Sequence, residues 1–156
     1  MIKIPIHVLN AGWTNFDGVE PASFLEVGDT ETMRFPAEVK YALKVQLVNN
    51  GVLVEGRVST WIRAQCGRCL VEFEREIVND GVCHFYEDPP QDVLDISEDI
   101  REDLLLAIPG NPLCDENCRG LCPDCGANLN EKECGCRGRS TNSGIWKDLD
   151  DLKFEK

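Results

Sequence analysis

The chain has 156 residues, a formal net charge of −12 at pH 7 and nine cysteines. Its length fits one domain with a real core, and no apolar run approaches the roughly 18 residues of a membrane-spanning helix. The apolar start is too short and too alternating for a secretory signal. Because cysteine-rich chains that are not secreted bind metal more often than they form disulfides, we expect a cytoplasmic metal-binding protein.

The first clear element is a β-hairpin. Residues 39–47 alternate between apolar and polar, as a half-buried strand does, and Asn49-Asn50-Gly51 predicts the turn, because Asn-Gly accepts positive φ. The returning strand runs into Cys66-Gly-Arg-Cys69, which we therefore expect at a tip between two strands. A further arm is predicted over residues 82–86, with Cys83 buried in it. The apolar residues predicted to share one face of the returning strand are Val52, Val54, Val58, Ile62 and Ala64.

A linker and a helix are predicted next. Residues 87–94 contain Pro89-Pro90 and have the composition of a linker. Asp95 is then a suitable N-cap, with Glu98 three residues later to complete a capping box. Pro109-Gly110 ends the helix, and a last short helix is predicted over residues 145–154. The apolar stripe of the first helix comprises Ile96, Ile100, Leu104 and Ile108.

These elements predict an α+β fold. It consists of an antiparallel β-hairpin-rich sheet, one or two short helices and a C-terminal Cys-rich zinc-binding segment. We expect a single domain, in which residues 1–94 form the β-rich core with the Cys-x-x-Cys at a hairpin tip. Residues 95–156 supply the helix, the zinc-binding cysteine cluster and the short C-terminal helix, packed on that core. Residues 10–30 have an irregular pattern that predicts no element.

The cysteines predict zinc binding. Eight residues separate Cys122-x-x-Cys125 from Cys134-x-Cys136, so that four thiolates can surround one tetrahedral Zn²⁺ ion. Gly126, Asn128 and Asn130 are expected to make the tight turns between them, since Gly and Asn tolerate left-handed backbone.

A second zinc site is the natural use of the remaining pairs. Cys66 and Cys69 with Cys114 and Cys118 would complete another set of four ligands. An alternative places Cys114, Cys118, Cys122 and Cys125 on one ion and leaves Cys134 and Cys136 unused. The sequence thus predicts one zinc ion and permits two.

Nothing in the chain favours an enzyme. Four cysteines fill a zinc shell and leave no position for water or substrate. His7 and His84 stand alone in strand-like stretches and are interpreted as half-buried strand residues. Neither a catalytic triad nor a phosphate-binding loop is present, and we expect no small-molecule substrate. Cys122-Pro-Asp-Cys125 has the spacing of a dithiol redox motif, but turn-forming residues follow it instead of the helix that activates such pairs.

Charge is distributed unevenly along the chain. Residues 71–113 hold twelve acids against Arg75 and Arg101. This segment is either a solvated face or a docking face for a basic partner, and the acids proposed to bind a partner are Glu98, Asp99, Glu102 and Asp103. The cysteine-rich end carries bases instead, and the candidate RNA contacts there are Lys132, Arg137, Arg139 and Lys147.

Several runs of residues combine into a recognisable pattern. They are Cys66-Gly-Arg-Cys69-Leu70, the Leu-rich stretch from Asp95 to Pro109, Pro112-Leu-Cys114, and Cys118 to Asn130 followed by Cys134-Gly-Cys136. In these runs, and in the order of its elements over residues 33–152, the chain resembles the YceD family, which is named for accumulation of large-subunit ribosomal RNA. Family members usually carry Asp-Pro-Arg before the last helix, where this chain has Thr141-Asn-Ser-Gly144.

The resemblance implies a zinc-binding, non-enzymatic factor for ribosome biogenesis. It would support accumulation of large-subunit ribosomal RNA by binding a basic large-subunit ribosomal protein or the rRNA itself, and no membrane. The charge of residues 71–113 favours the protein partner, because that segment repels RNA. The alternative is a redox-switched zinc chaperone or a general protein-interaction module.

Overall fold

The computed structural model describes residues 1–10 and 12–136. Within these residues the chain forms seven strands and one α-helix, together with 3₁₀ turns over Ile6–Val8 and Ala22–Leu25. The helix, α1, spans Ser97–Leu106. The strands are β1 (Lys3–Pro5), β2 (Thr14–Glu20), β3 (Met33–Arg34), β4 (Val39–Val48), β5 (Gly51–Gln65), β6 (Glu72–Glu87) and β7 (Val93–Asp95).

The main sheet has five antiparallel strands with β5 at its centre. β6 pairs with β5 along its full length, while β4 and then β3 pair with its other edge and β2 lies beside β4. β1 and β7 form a separate two-stranded antiparallel sheet. The described part of the chain is therefore mostly antiparallel sheet with one helix, as the sequence predicts. No helix among the described residues is long and apolar enough to cross a membrane.

The predicted β4–β5 hairpin is confirmed, with one difference at its turn. The two loop residues are Asn49 and Asn50, and the positive φ of 53° belongs to Asn49. Gly51 already lies in β5. A side chain there would collide with the ring of Phe85 and would place its Cβ 2.7 Å from the carbonyl oxygen of Tyr86. The glycine is thus required for the close approach of β6 and not for the turn.

The core lies between the inner face of this sheet and α1. Val52, Val54, Val58, Ile62 and Ala64 are all buried on one face of β5, as predicted. The predicted helical stripe is also confirmed, because its first three residues are fully buried and Ile108 packs against the same core. Full burial of each such side chain adds about 1.5–3 kcal/mol to the stability of the fold. The stripe therefore holds α1 against the sheet.

β6 contains a bulge that reverses which side chains face the core. Gly56 pairs with Val82, but Val58 pairs with Asn79, so β6 carries one extra residue in between. An extra residue shifts the alternation of a strand by one. The prediction that Cys83 is buried was therefore wrong, and its side chain is exposed.

The start of α1 differs in detail from the prediction. Asp95 is the last residue of β7, and its carboxylate accepts a hydrogen bond from the Ser97 N–H at 3.0 Å. Glu98 does not complete a capping box, because it pairs with Arg101 at 3.4 Å instead. The last predicted helix, over residues 145–154, lies outside the described residues.

The two histidines have different outcomes. His84 is a half-buried strand residue, as predicted. His7 lies exposed in a 3₁₀ turn, so that strand prediction was wrong.

Candidate metal centres

The first group of cysteines begins at the tip between β5 and β6. The Cys66 N–H donates to the carbonyl of Val71 at 2.9 Å, and the Leu70 N–H donates to the carbonyl of Cys66 at 3.0 Å. Leu70 closes the loop with a φ of 61°. This tight loop presents the thiols of Cys66 and Cys69 together, at the position that the sequence predicts for them.

The chain after α1 returns to this tip. The Gly67 N–H donates to the carbonyl of Pro112 at 2.9 Å, and the Leu121 N–H donates to the carbonyl of Arg68 at 3.1 Å. The Arg68 guanidinium donates to the carbonyl of Cys118 at 3.0 Å. These bonds bring Cys114 and Cys118 to the first pair, and all four sulfurs lie within 4.8 Å of one another. We call this group the hairpin site: Cys66, Cys69, Cys114 and Cys118.

The spacing of the sulfurs fits a metal shell. Cys66 Sγ lies 3.7 Å from Cys118 Sγ, and Cys69 Sγ lies 3.6 Å from Cys114 Sγ. A tetrahedral ion with metal–sulfur bonds of about 2.3 Å separates its sulfurs by about 3.8 Å, whereas a disulfide needs about 2.0 Å. Cys66, Cys69 and Cys118 are buried. The hairpin site is therefore closed and can hold an ion without room for a substrate.

The pKa values in the hairpin site show how the thiols share charge when no ion is bound. Burial raises the pKa of Cys66, but backbone N–H groups, including that of Arg68 at 3.4 Å, outweigh it and lower the pKa to about 6. The bond to the Cys69 sulfur, aided by burial, raises the pKa of Cys114 to about 12. The Cys66 thiolate thus forms first, while the raised pKa values of Cys69 and Cys114 oppose further ionisation, because like charges repel. A divalent cation removes this repulsion and releases the remaining protons.

The second group lies farther along the chain. The Gly126 N–H donates to the carbonyl of Cys122 at 2.9 Å, with Gly126 at a φ of 71° as predicted, and the Cys122 N–H donates to the carbonyl of Ala127 at 2.8 Å. The four sulfurs again lie within 4.8 Å of one another. We call this group the C-terminal site: Cys122, Cys125, Cys134 and Cys136.

The C-terminal site is more open than the hairpin site. Cys122 is buried, but Cys125 and Cys136 are exposed. Backbone N–H groups of Cys125 and Asp124 lower the pKa of Cys122 to about 7, whereas the bond to Cys125 raises that of Cys136 to about 12. The two sites therefore share a donor set but differ in their access to solvent.

The structure brings the eight cysteines together as two separate groups. It does not group Cys114 and Cys118 with Cys122 and Cys125, which was the alternative. The assignment of these residues as metal ligands stays a prediction that the geometry supports.

Asn128 and Asn130 serve the C-terminal loop differently from the prediction. Neither has a positive φ. Instead the Asn128 carboxamide oxygen accepts hydrogen bonds from the Asn130 N–H at 3.1 Å and the Asn130 side chain at 2.9 Å. The prediction of left-handed backbone was wrong at these two residues, because their side chains and not their backbone conformation make the turn.

Two functional contacts were not anticipated from the sequence. The Arg68 side chain joins the hairpin tip to the Cys114–Cys118 loop, and Asn130 donates to the sulfur of Cys118 at 3.3 Å. The position of Arg68 between two cysteines was the only local signal. Both contacts join residues that are distant or irregular in sequence, which periodicity does not reveal.

The four acids proposed to bind a partner divide into two kinds. The Asp103 carboxylate lies 2.7 Å from His84 Nε2, and Asp99 accepts a hydrogen bond from the Tyr86 hydroxyl. These two carboxylates hold α1 against β6, and their assignment as partner contacts stays a prediction. Glu98 and Glu102 point to solvent and remain candidates.

Among the candidate RNA contacts, Lys132 is exposed. Arg137, Arg139 and Lys147 lie outside the described residues.

The fold and its cysteines define a class of protein, namely a small antiparallel β protein with two tetracysteine groups of the size of a metal shell. Residues 84–153 match the sequence model of the family described as "Large ribosomal RNA subunit accumulation protein YceD". Residues 84–153 therefore resemble the YceD family, as the sequence motifs indicate.

The curated relatives are plant and mycobacterial proteins. "Large ribosomal RNA subunit accumulation protein YCED homolog 1, chloroplastic" of Zea mays is 39% identical over 46% of this chain and 24% of the relative. The protein of the same name from Arabidopsis thaliana is 41% identical over 33% of this chain and 16% of the relative. An uncharacterized protein of Mycobacterium bovis is 30% identical over 56% of this chain and 49% of the relative.

The matches to these relatives thus span half of their length or less. No solved structure matches the chain.

Proposed function

We propose that this protein is a zinc-binding, non-enzymatic factor for ribosome biogenesis that supports accumulation of large-subunit ribosomal RNA. The match of residues 84–153 to a family described by that role carries the proposal. The structure is consistent with it, because the buried hairpin site has the character of a structural metal centre and not of a catalytic one. We place the protein in the cytoplasm, which cell fractionation tests; the plant relatives are named as chloroplastic.

Zinc is the proposed ion at both sites. Four sulfur ligands in tetrahedral arrangement suit zinc or iron–sulfur chemistry. A single ion fits the hairpin site better than an iron–sulfur cluster, because the sulfur spacings of 3.6 and 3.7 Å match the edges of a shell around one ion, and we propose zinc as that ion. A coloured, iron-containing protein would contradict this assignment.

The proposed partner is a basic ribosomal protein of the large subunit. Residues 71–113 carry a net charge of −10, from twelve acids and two bases, and such a surface attracts a basic partner and repels RNA. Glu98 and Glu102 on α1 offer exposed carboxylates. Glu72 and Glu76 on the outer side of β6 are exposed as well. Both α1 and β6 therefore present exposed carboxylates that a basic partner could contact.

The test is binding of reduced, zinc-loaded protein to isolated large-subunit proteins and to rRNA fragments. Glu98→Gln/Glu102→Gln should weaken binding to a basic ribosomal protein and flatten its dependence on salt. Glu31→Gln/Glu38→Gln removes the same charge from exposed acids outside the segment and is the matched control. Equal effects of the two double variants would contradict the proposed docking face. Binding to rRNA alone would instead favour the RNA contact.

A cellular test addresses the function itself. Depletion of the protein should lower large-subunit rRNA relative to small-subunit rRNA. Unchanged proportions after complete depletion would refute the proposed role.

The second candidate is a redox-switched zinc chaperone. One observation favours it: Cys125 and Cys136 of the C-terminal site are exposed, so an oxidant can reach their sulfurs. Such a protein would be idle when reduced and would bind unfolded clients only after peroxide releases zinc. An assembly factor should act fully reduced with zinc bound, so client binding compared before and after peroxide separates the two.

A further inference from the structure

One side chain from the loop of the C-terminal site reaches a sulfur of the hairpin site. Asn130 lies in the loop between Cys125 and Cys134, which are ligand candidates of the C-terminal site, but its amide group reaches Cys118 of the hairpin site. We infer that metal binding at the two sites is coupled, and that Asn130 is the positioning residue through which the coupling acts. The inference rests on the proposed metal binding and adds to it a dependence of one site on the other.

The contacts of Asn130 determine how its amide is oriented. The Arg119 N–H lies 2.7 Å from Asn130 Oδ1. Because a backbone N–H can only donate, the oxygen must face it, and the Nδ2 group then faces the Cys118 sulfur at 3.3 Å. The sulfur is therefore the acceptor. A thiolate accepts such a bond more strongly than a thiol does, so the arrangement suits a metal-bound Cys118.

The position of Asn130 depends in turn on the loop that carries it. The backbone of this loop is attached by the Leu129 N–H, which donates to the carbonyl of Gly120 at 2.9 Å, and by a bridge between Leu121 and Asn128. An ion at the C-terminal site would tie Cys125 and Cys134 at the two ends of the loop. Without this closure the loop gains conformational freedom, and Asn130 is held less firmly against Cys118.

The coupling should have a measurable size. Hydrogen bonds to metal ligands typically change metal affinity by about 10–100-fold. Since Asn130 is largely exposed, we expect a value near the lower end, about tenfold. Linkage requires the effect to be reciprocal, so an ion at the hairpin site should also strengthen binding at the C-terminal site.

The experiment is a competition between the protein and a chelator of known affinity for Zn²⁺, in which the amide NMR signals of Arg68 and Gly126 report the two sites separately. Asn130→Ala should weaken Zn²⁺ binding at the hairpin site by about tenfold. The double variant Cys125→Ser/Cys136→Ser removes the C-terminal site. It should weaken Zn²⁺ binding at the hairpin site by a similar factor. When Asn130→Ala is added to that double variant, Zn²⁺ affinity at the hairpin site should fall little further. The hydrogen bond from Asn130 to the Cys118 sulfur has then already been weakened.

Two further variants make the test specific. Asn130→Asp keeps an oxygen that can accept the hydrogen bond from the Arg119 N–H, but it replaces the group that donates to the Cys118 sulfur. This variant should therefore lose at least as much Zn²⁺ affinity at the hairpin site as Asn130→Ala. Asn117→Ala changes an exposed asparagine of the same region whose side chain is bonded to no thiol, and its affinity should stay at the wild-type value. Unchanged β4 and β5 signals confirm that each variant is folded.

Several outcomes would overturn the inference. One is a wild-type Zn²⁺ affinity of the hairpin site in Asn130→Asp. Another is a loss of that affinity in Asn117→Ala as large as in Asn130→Ala. The third is a fully additive loss when Asn130→Ala is combined with Cys125→Ser/Cys136→Ser. Each leaves the proposed zinc sites intact. A folded wild-type protein that takes up no Zn²⁺ would refute the metal sites themselves, and the coupling with them.

Discussion

Removal of metal should unfold the segment that carries Cys114 to Cys136 and leave the main sheet folded. The core of the sheet is a large apolar cluster, whereas among the described residues the cluster around the hairpin site contains, besides its cysteines, only Phe73, Leu113 and Leu121, all partly buried. Each leucine contributes at most about 1.5–3 kcal/mol. Structural zinc contributes about 10–16 kcal/mol in zinc-finger peptides. The ion should therefore dominate the stability of this segment.

Limited trypsin digestion measures this difference at defined positions. Arg119 and Lys132 are exposed residues within the segment, and chelation should make the bonds after them readily cleavable. The β4–β5 hairpin should keep its protection from hydrogen exchange under the same conditions. Cys125→Ser should reproduce the effect at Lys132, while Cys83→Ser, which alters the exposed cysteine outside both sites, should not.

Metal does not hold this segment if the segment stays protected from trypsin without an ion. Unchanged cleavage after Arg119 and Lys132 in protein shown to be metal-free would mean that packing and backbone hydrogen bonds hold the segment. Loss of protection throughout β4 and β5 would refute the separation of the two clusters.

Three further predictions concern metal content and the attachment of α1. Elemental analysis of protein purified without chelator should give between one and two zinc ions per chain, with one fewer in Cys125→Ser; metal-free, fully reduced protein would contradict the sites. Leu104→Ala should lower the free energy of unfolding by about 2–5 kcal/mol, because this side chain is fully buried, whereas Leu106→Ala, at 84% exposure in the same helix, should change it little. Tyr86→Phe should cost about 1.5–3 kcal/mol in urea unfolding, since it removes a hydrogen bond to the Asp99 carboxylate; equal stability would show that the bond contributes nothing.

Elements with a strong local period could be predicted from the sequence. The alternation over residues 39–47 and the turn at Asn49 led to the β4–β5 hairpin, and the stripe from Ile96 led to α1. In each case the residues that face the core are themselves apolar, so the burial is visible as a pattern.

β2 was missed because its inner face lacks that pattern. Gly18 lies on this face under the side chain of Tyr41, where any side chain would collide with the tyrosine hydroxyl. Because glycine has no side chain, it adds no apolar residue to the alternation that predicts a strand, even where a neighbouring ring covers it. The exposure of Cys83 was missed for a related reason, because the bulge in β6 depends on its pairing with β5.

The sequence also could not distinguish the acidic residues that α1 uses for internal contacts from those that it leaves exposed. All four acids chosen on α1 appeared equivalent in sequence, but Asp99 and Asp103 are used by Tyr86 and His84 on the neighbouring strand. Which carboxylates are free depends on which face of the helix meets β6, and charge counts contain no information on that contact.

The sequence by itself favoured the grouping of Cys122-x-x-Cys125 with Cys134-x-Cys136, because closing a loop this short costs little entropy, and the structure then excluded the alternative grouping with Cys114 and Cys118. The grouping of Cys66 and Cys69 with Cys114 and Cys118 was decided by the tertiary structure. Their sulfurs are 45 and 52 residues apart in sequence and meet because β5 and β6 carry one pair to their tip while the chain after α1 returns to it. Such a meeting depends on the packing of α1 across the sheet, which no local pattern of residues specifies.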